Sequence, residues 1–196
     1  MKRRRLAFAA LSTLASQAAL AQTPQEPWRD LLVYVRPKTP GGADLGQGGT
    51  GVILNSKGFI ITAKHVIGDA FDPVRGEITV SHRSKSSYQI TARLMDCTDS
   101  RWDICILHVS SDALPALSTA KYFNLNCAMP VAGTPLKAAG FPLDPWSPAI
   151  EVEGKLQTQA PAAHFKYYMD LRTTAGMSGG PVYSADYSLV GIVLGK

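Results

Sequence analysis

Short apolar runs, repeatedly broken by glycine and proline, limit what this chain can fold into. Leu31–Val35, Thr50–Leu54, Phe59–Thr62, Glu77–His82, Gln89–Leu94 and Asp103–Val109 follow one another in the first half. Pro135–Gly140, Ile150–Gln159, Tyr167–Leu171, Val182–Tyr183 and Leu189–Leu194 continue the series in the second. Most are rich in β-branched or aromatic residues, which suit a pleated, half-buried surface. No segment keeps a helical period long enough to make an amphipathic helix. With 17 Gly and 13 Pro as punctuation, the pattern predicts an all-β chain, folded as barrels or a sandwich. Pro37 is expected to end the first strand, and Lys38–Gly49 reads as a loop. Asn55-Ser56-Lys57-Gly58 and Ser84–Ser87 read as turns, and Ser110–Asn126, with Pro115, as the crossover between halves.

The beginning of the chain is of another kind. Lys2-Arg3-Arg4-Arg5 precede an uncharged, mostly apolar stretch, Leu6–Leu20, and Ala19-Leu20-Ala21 gives a small-x-small cleavage site. Basic start, short apolar run and small-residue end describe a secretory signal peptide over residues 1–21, too short to span a membrane. The mature chain is then exported, periplasmic or secreted, and starts near Gln22. Gln22–Pro27 is a polar lead-in. No membrane span is expected after cleavage.

Export changes the meaning of the charge. The formal +5 comes from 20 basic and 15 acidic residues, and four of the basic ones, Lys2 to Arg5, leave with the leader. The remainder is close to neutral and holds no basic run, which argues against a nucleic-acid partner. Cys97, Cys105 and Cys127 allow at most one internal bridge in an oxidising compartment and leave at least one thiol. They form no ligand pattern with His82, His108 or His164, so neither a metal nor another cofactor is expected.

Chemistry concentrates in Gly176-Met177-Ser178-Gly179-Gly180-Pro181-Val182. A serine hydroxyl is a weak nucleophile unless a base takes its proton and donors hold the oxyanion that forms. Glycines around it let backbone N–H groups turn inward, and those of Gly176 and Ser178 are the candidate oxyanion donors. A plain Gly-Ser turn between strands is the bland alternative. Two further stretches weigh against it. Gly48-Gly49-Thr50-Gly51-Val52-Ile53-Leu54 precedes Thr62-Ala63-Lys64-His65-Val66-Ile67, and Trp102-Asp103-Ile104-Cys105-Ile106-Leu107 lies between them and the serine.

In order, these segments resemble the histidine, aspartate and serine segments of the trypsin-like (chymotrypsin-fold) serine peptidases, over roughly Leu31 to Gly195. The serine segment also satisfies the nucleophile elbow of α/β-hydrolases. In that fold the acid and histidine follow the serine, and no histidine follows Ser178. The order His65, Asp103, Ser178 is that of chymotrypsin. The resemblance implies two six-stranded antiparallel Greek-key barrels, residues 22–118 and 119–196, with the active site in the cleft between them. It also implies a single helical turn at Val66-Ile67. His65 is then the general base, Asp103 its orienter in preference to Asp96 or Asp99, and Ser178 the nucleophile. Gly140-Phe141-Pro142 and Met169–Thr174 are similar to segments of exported bacterial glutamyl endopeptidases and HtrA proteases.

Three departures from that pattern stand out. Met177 replaces the aspartate that pairs with a freshly cut N-terminus in digestive relatives, and puts the stiffness of the oxyanion loop in question. Val193 stands where glutamyl endopeptidases carry a specificity histidine, although Thr173 has a match. The chain stops at Lys196, whereas relatives continue, so the expectation for the second barrel includes a truncated end and an unpaired edge over Leu189–Leu194. Substrate binding is assigned to Arg172, Thr173, Thr174, Gly191 and Val193. An apolar wall there favours an aliphatic residue before the scissile bond, with Arg172 pairing with Asp170 on its own strand face. Polypeptides are the expected substrates. The alternative is a catalytically silent homologue acting as a binding or chaperone-like module, with the oligomeric state open in either case.

Overall fold

Strand alternation closes the first half on itself. The computed structural model describes residues 26–82, 89–97, 102–113, 122–125, 128, 130–142, 147–159 and 167–194. The leader, the Ser84–Ser87 turn, most of the crossover and Cys127 lie outside the described residues. Strands β1 (Leu32–Lys38), β2 (Gly49–Ile53), β3 (Phe59–Thr62), β4 (Glu77–His82), β5 (Gln89–Cys97) and β6 (Cys105–His108) form a closed antiparallel barrel. Its order is β1-β2-β3-β6-β5-β4. Alternate residues point inward: Val33 and Val35, Ile78 and Val80, Ile90 and Ala92, Cys105 and Leu107 share one buried core. Residues of the other parity on β1, Leu32 and Tyr34, are buried as well, in a second cluster. Over Leu32–Val35 β1 is covered on both faces, hence the unbroken apolar start of its sequence.

That second cluster is the seam between the halves. Trp28 and Leu31, from a 3₁₀ turn at Pro27–Leu31, meet Val52 of the barrel and Phe123, Phe141 and Tyr183 from the later chain. The second half is a six-stranded sheet: β7 (Asn124–Leu125), β8 (Pro135–Gly140), β9 (Ile150–Gln159), β10 (Tyr167–Met169), β11 (Pro181–Tyr183) and β12 (Ser188–Ile192). The order is β10-β9-β8-β11-β12-β7. Leu136, Ala138, Leu156, Val182 and Val193 form its core. The fold is chymotrypsin-like, and the described residues are strands and loops apart from one helical turn, α1 (Lys64–Ile67), and short 3₁₀ turns. Among the described residues no helix is long and apolar enough to cross a membrane.

The differences from the sequence expectation have local causes. β1 runs through Pro37, which pairs with Ile78. The Pro37 carbonyl accepts from Leu45 N–H on the side away from β4, so the donor that proline lacks is not needed by that ladder. β5 extends past Leu94 to Cys97 with a register shift between Leu94 and Asp96, which hides the alternation. β6 starts two residues after Asp103 instead of at it. The second sheet contains one parallel pair, β12 with β7, and is not closed among the described residues. That pair, Ser188 with Asn124 and Leu189 with Leu125, covers the start of the edge that was expected to be open. Cys97 and Cys105 face each other across β5 and β6 and are joined by a disulfide.

One polar group of the seam predicts an alkaline limit. The buried Tyr183 hydroxyl donates to Glu151, which also accepts from Lys137 Nζ at 2.8 Å, and Lys137 reaches Glu153 at 3.0 Å. Burial, then the Glu151 carboxylate, raises the Tyr183 pKa far above that of a free phenol. Hydrogen bonds that Lys137 donates to Glu151 and Glu153 raise its own pKa. A raised folded pKa gives stability that is complete below the unfolded value and lost above it. Both groups have unfolded values near ~10, so stability is expected to fall as pH rises beyond that point. Denaturant midpoints from pH 8 to 11 would measure it, and Tyr183→Phe should flatten the decline. A midpoint constant over that range would refute the assignment.

Candidate active site

His65 is held by the barrel beneath it. β3 ends at Thr62, Ala63 is extended, and α1 makes a single turn. Val66 and Ile67 of that turn are buried in the barrel core, which leaves His65 half exposed on the outer side. Asp103 grips it twice. One carboxylate oxygen accepts the His65 backbone N–H at 2.8 Å, and the other lies 2.6 Å from Nδ1. The Asp103 carbonyl also accepts Lys64 N–H at 3.2 Å. A proton on Nδ1 facing a carboxylate leaves Nε2 as the basic nitrogen. Asp103 itself lies two residues before Cys105, which is sealed in the core and bridged to Cys97.

The other candidates do not compete. His82 is buried, with Nε2 2.9 Å from the Asp30 carbonyl, and His108 lies against Phe59. Asp96 belongs to β5; Asp99 and His164 lie outside the described residues.

The serine loop takes its shape from both halves. Within it, Met177 N–H donates to Thr174 and Gly180 N–H to Met177, at 3.2 and 3.0 Å. From β2, Thr50 N–H donates to the Ser178 carbonyl at 2.8 Å and Thr50 Oγ1 to the Gly176 carbonyl at 2.7 Å. The same hydroxyl oxygen accepts Phe141 N–H at 3.0 Å. Gly179 N–H donates to Val193 at 2.7 Å, and Val193 N–H to Gly180 at 2.8 Å. Gly176 has φ +90°. Thr50 thus holds the peptide groups on the C-terminal side of Gly176 and Ser178, while the N–H groups of Gly176 and Ser178 themselves have no acceptor among the described residues. Met177 is fully buried. An apolar side chain in the core, together with this ladder, fixes a loop whose stiffness the sequence left in question.

His65, Gly176 and Ser178 line one cleft of about 410 Å³. None of the residues assigned to substrate binding does. Arg172 and Thr174 are exposed and Thr173 is half-buried. No ion pair joins Arg172 to Asp170 among the described residues. Gly191 is an exposed strand residue opposite Val182. Val193 is buried in the second core, while Ile192 and Leu194 pack against the first. Val193 thus meets the serine loop through its backbone. Thr50 is the functional residue that sequence reading missed. Its one signal was a hydroxyl among the glycines of Gly48-Gly49-Thr50-Gly51.

Comparison with known proteins identifies the family and the fold. The family described as trypsin-like peptidase domain matches residues 49–192. A probable periplasmic serine endoprotease DegP-like of Pseudomonas fulva (strain 12-X) is 28% identical over 163 residues, covering 80% of this chain and 32% of that protein. Its namesake in Hahella chejuensis (strain KCTC 2396) is 28% identical over 148 residues, covering 74% and 29%. The chain spans about a third of the length of these curated relatives. Among solved structures, a serine endoprotease from Yersinia pestis superposes with a TM-score of 0.65 at 22% identity, over 85% of this chain and 54% of that one. The likeness extends to the fold.

Proposed function

Because the chain belongs to the trypsin-like peptidase family, we propose that it is an exported serine endopeptidase that works through an acyl-enzyme. The observation that carries this reading is that His65, doubly held by Asp103, lines the same cleft as Ser178. Ser178 Oγ attacks the peptide carbonyl while His65 Nε2 takes its proton. Asp103 keeps the imidazole in the required tautomer and stabilises the imidazolium. The N–H groups of Gly176 and Ser178, which have no acceptor among the described residues, receive the oxyanion. His65 then protonates the leaving amine, and water, activated by the same imidazole, hydrolyses the acyl-enzyme.

The leader in the sequence supports export, and the names of the relatives support the periplasm as the destination. Polypeptides are the substrates. Before the scissile bond, the sequence reading favours small or medium apolar residues, although Ile192, Val193 and Leu194 are drawn into the two cores. Arg172, exposed and without an ion pair to Asp170, supports a second reading in which Glu or Asp is preferred. A peptide-library cleavage profile separates the two. A silent binding module has less in its favour, since it does not require a held imidazole beside free donors.

Treatment of the folded chain with a fluorophosphonate probe at neutral pH tests the mechanism. Labelling at Ser178, lost in Ser178→Ala and in His65→Ala, is expected. Folded protein that takes no label would overturn the enzyme reading.

A further inference from the structure

We infer that the cleft beside His65 seats the substrate residues beyond the scissile bond, and that Asp69 selects a basic side chain there. The inference rests on the serine endopeptidase reading and adds a specificity residue to it. The cleft is built from two segments of the first barrel, Leu45–Gly48 and His65–Ala70, together with the edge of the serine loop. No residue of β9, β10 or β12 lines it. The imidazole that protonates the leaving amine must lie within hydrogen-bond reach of that nitrogen. The chain leaving with that nitrogen therefore runs out along the His65 wall, and the acyl half lies on the other side of Ser178. A space of about 410 Å³ accommodates one or two residues with long side chains.

Apart from His65, Asp69 is the one charged residue in this lining. It is exposed and has no hydrogen-bond or ion-pair partner among the described residues. The nearest arginine in sequence, Arg75, is drawn to Asp72 at 4.0 Å instead. The turn that carries Asp69 is fixed, since Phe71 N–H donates to the Gly68 carbonyl at 3.2 Å and the Phe71 ring packs on the barrel core. Leu45, which lines the same cleft, is half-buried and anchored through its N–H to the Pro37 carbonyl at 2.8 Å. A lining that offers both an apolar side chain and a free carboxylate matches lysine or arginine, whose stem is apolar and whose head is cationic. A glutamate in the same place meets repulsion.

Acyl transfer isolates this side of the site. The full chain is acylated by a small peptide ester that carries no residue beyond the scissile bond. Argininamide, leucinamide and glutamic acid α-amide then compete with water for the acyl-enzyme. In each capture the amine nitrogen bonds to the acyl carbon, the Ser178 ester bond breaks, and the amine proton passes through His65 to Ser178 Oγ. The ratio of captured to hydrolysed product does not depend on how fast the acyl-enzyme forms. Argininamide should be captured about two- to fivefold better than leucinamide, as expected for a solvent-exposed ion pair, and the glutamic acid amide worst. The preference should shrink in high salt, vanish in Asp69→Asn and persist in Asp69→Glu. Equal capture of all three amines by an enzyme that turns over the ester overturns the role of Asp69 and leaves the serine mechanism standing. A preference that survives in Asp69→Asn does the same. No turnover of the ester overturns both.

Discussion

Ser178→Ala is expected to lose about a million-fold in kcat, and His65→Ala about as much, with the double variant no worse than either. The three side chains act as a unit: without the hydroxyl the base has nothing to activate, and without the base the hydroxyl keeps its proton. Asp103→Asn should fold normally yet lose about 10⁴-fold, because an amide facing Nδ1 no longer favours the tautomer that leaves Nε2 basic. Its two hydrogen bonds to His65, at 2.8 and 2.6 Å, make the effect specific to this acid. Peptidase rates on a common substrate, beside circular dichroism to show that each variant is folded, provide the measurement. A Ser178→Ala protein within tenfold of the parent would show the nucleophile to be misassigned, and a fully active Asp103→Asn would point to another acid.

The largest expected loss of stability comes from Gly179→Ala. Gly179 has φ +84°, where L side chains are strained. An added methyl carbon would also lie 2.9 Å from Ala63 N and collide outright with the Thr50 carbonyl and the Thr62 hydroxyl. Those last two groups are hydrogen-bonded to each other at 2.7 Å, inside the core that joins β2 to β3. Backbone strain and overpacking together should cost about 3–5 kcal/mol. Gly191→Ala is the matched control: no atom lies within 4 Å of the added carbon, so its stability should stay close to that of the parent. Denaturant midpoints at constant slope would check both. A Gly179→Ala midpoint equal to that of the control would mean that the loop yields more readily than its contacts suggest.

Local patterns carried most of what the sequence revealed. β3, β4, β8 and β9 have the bounds that alternation and turn residues suggested, because nothing distant competes with the period-two signal in them. The paired His65 and Asp103 were legible from their flanking motifs. Relations across the seam were not. Nothing local marks Thr50 as the residue that ties Gly176 and Ser178 to the barrel, since its partners lie far along the chain. Met177 looked like a defect when judged against an ion pair, and its burial is a tertiary fact. The strand-to-strand bridge between Cys97 and Cys105 was one of three possible pairings until the register of β5 on β6 brought the two together. The cleft was not legible for a similar reason. Sequence reading placed substrate contacts on both sides of the serine, at Arg172–Thr174 and at Gly191 and Val193, whereas the cleft beside His65 is lined largely by loops of the first barrel.

The bonds from Thr50 also bear on when such a site comes into being. A chain made from its N-terminus completes all six strands of the first barrel before any of the serine loop exists. Thr50 then waits for a partner 126 residues away. Until the second sheet docks, the carbonyls of Gly176 and Ser178 have nothing from β2 to hold them. On the proposed mechanism the fold would then act as a coincidence detector during biosynthesis: half-made chains would carry the base without the nucleophile, and released chains would carry both without alignment until the seam closes.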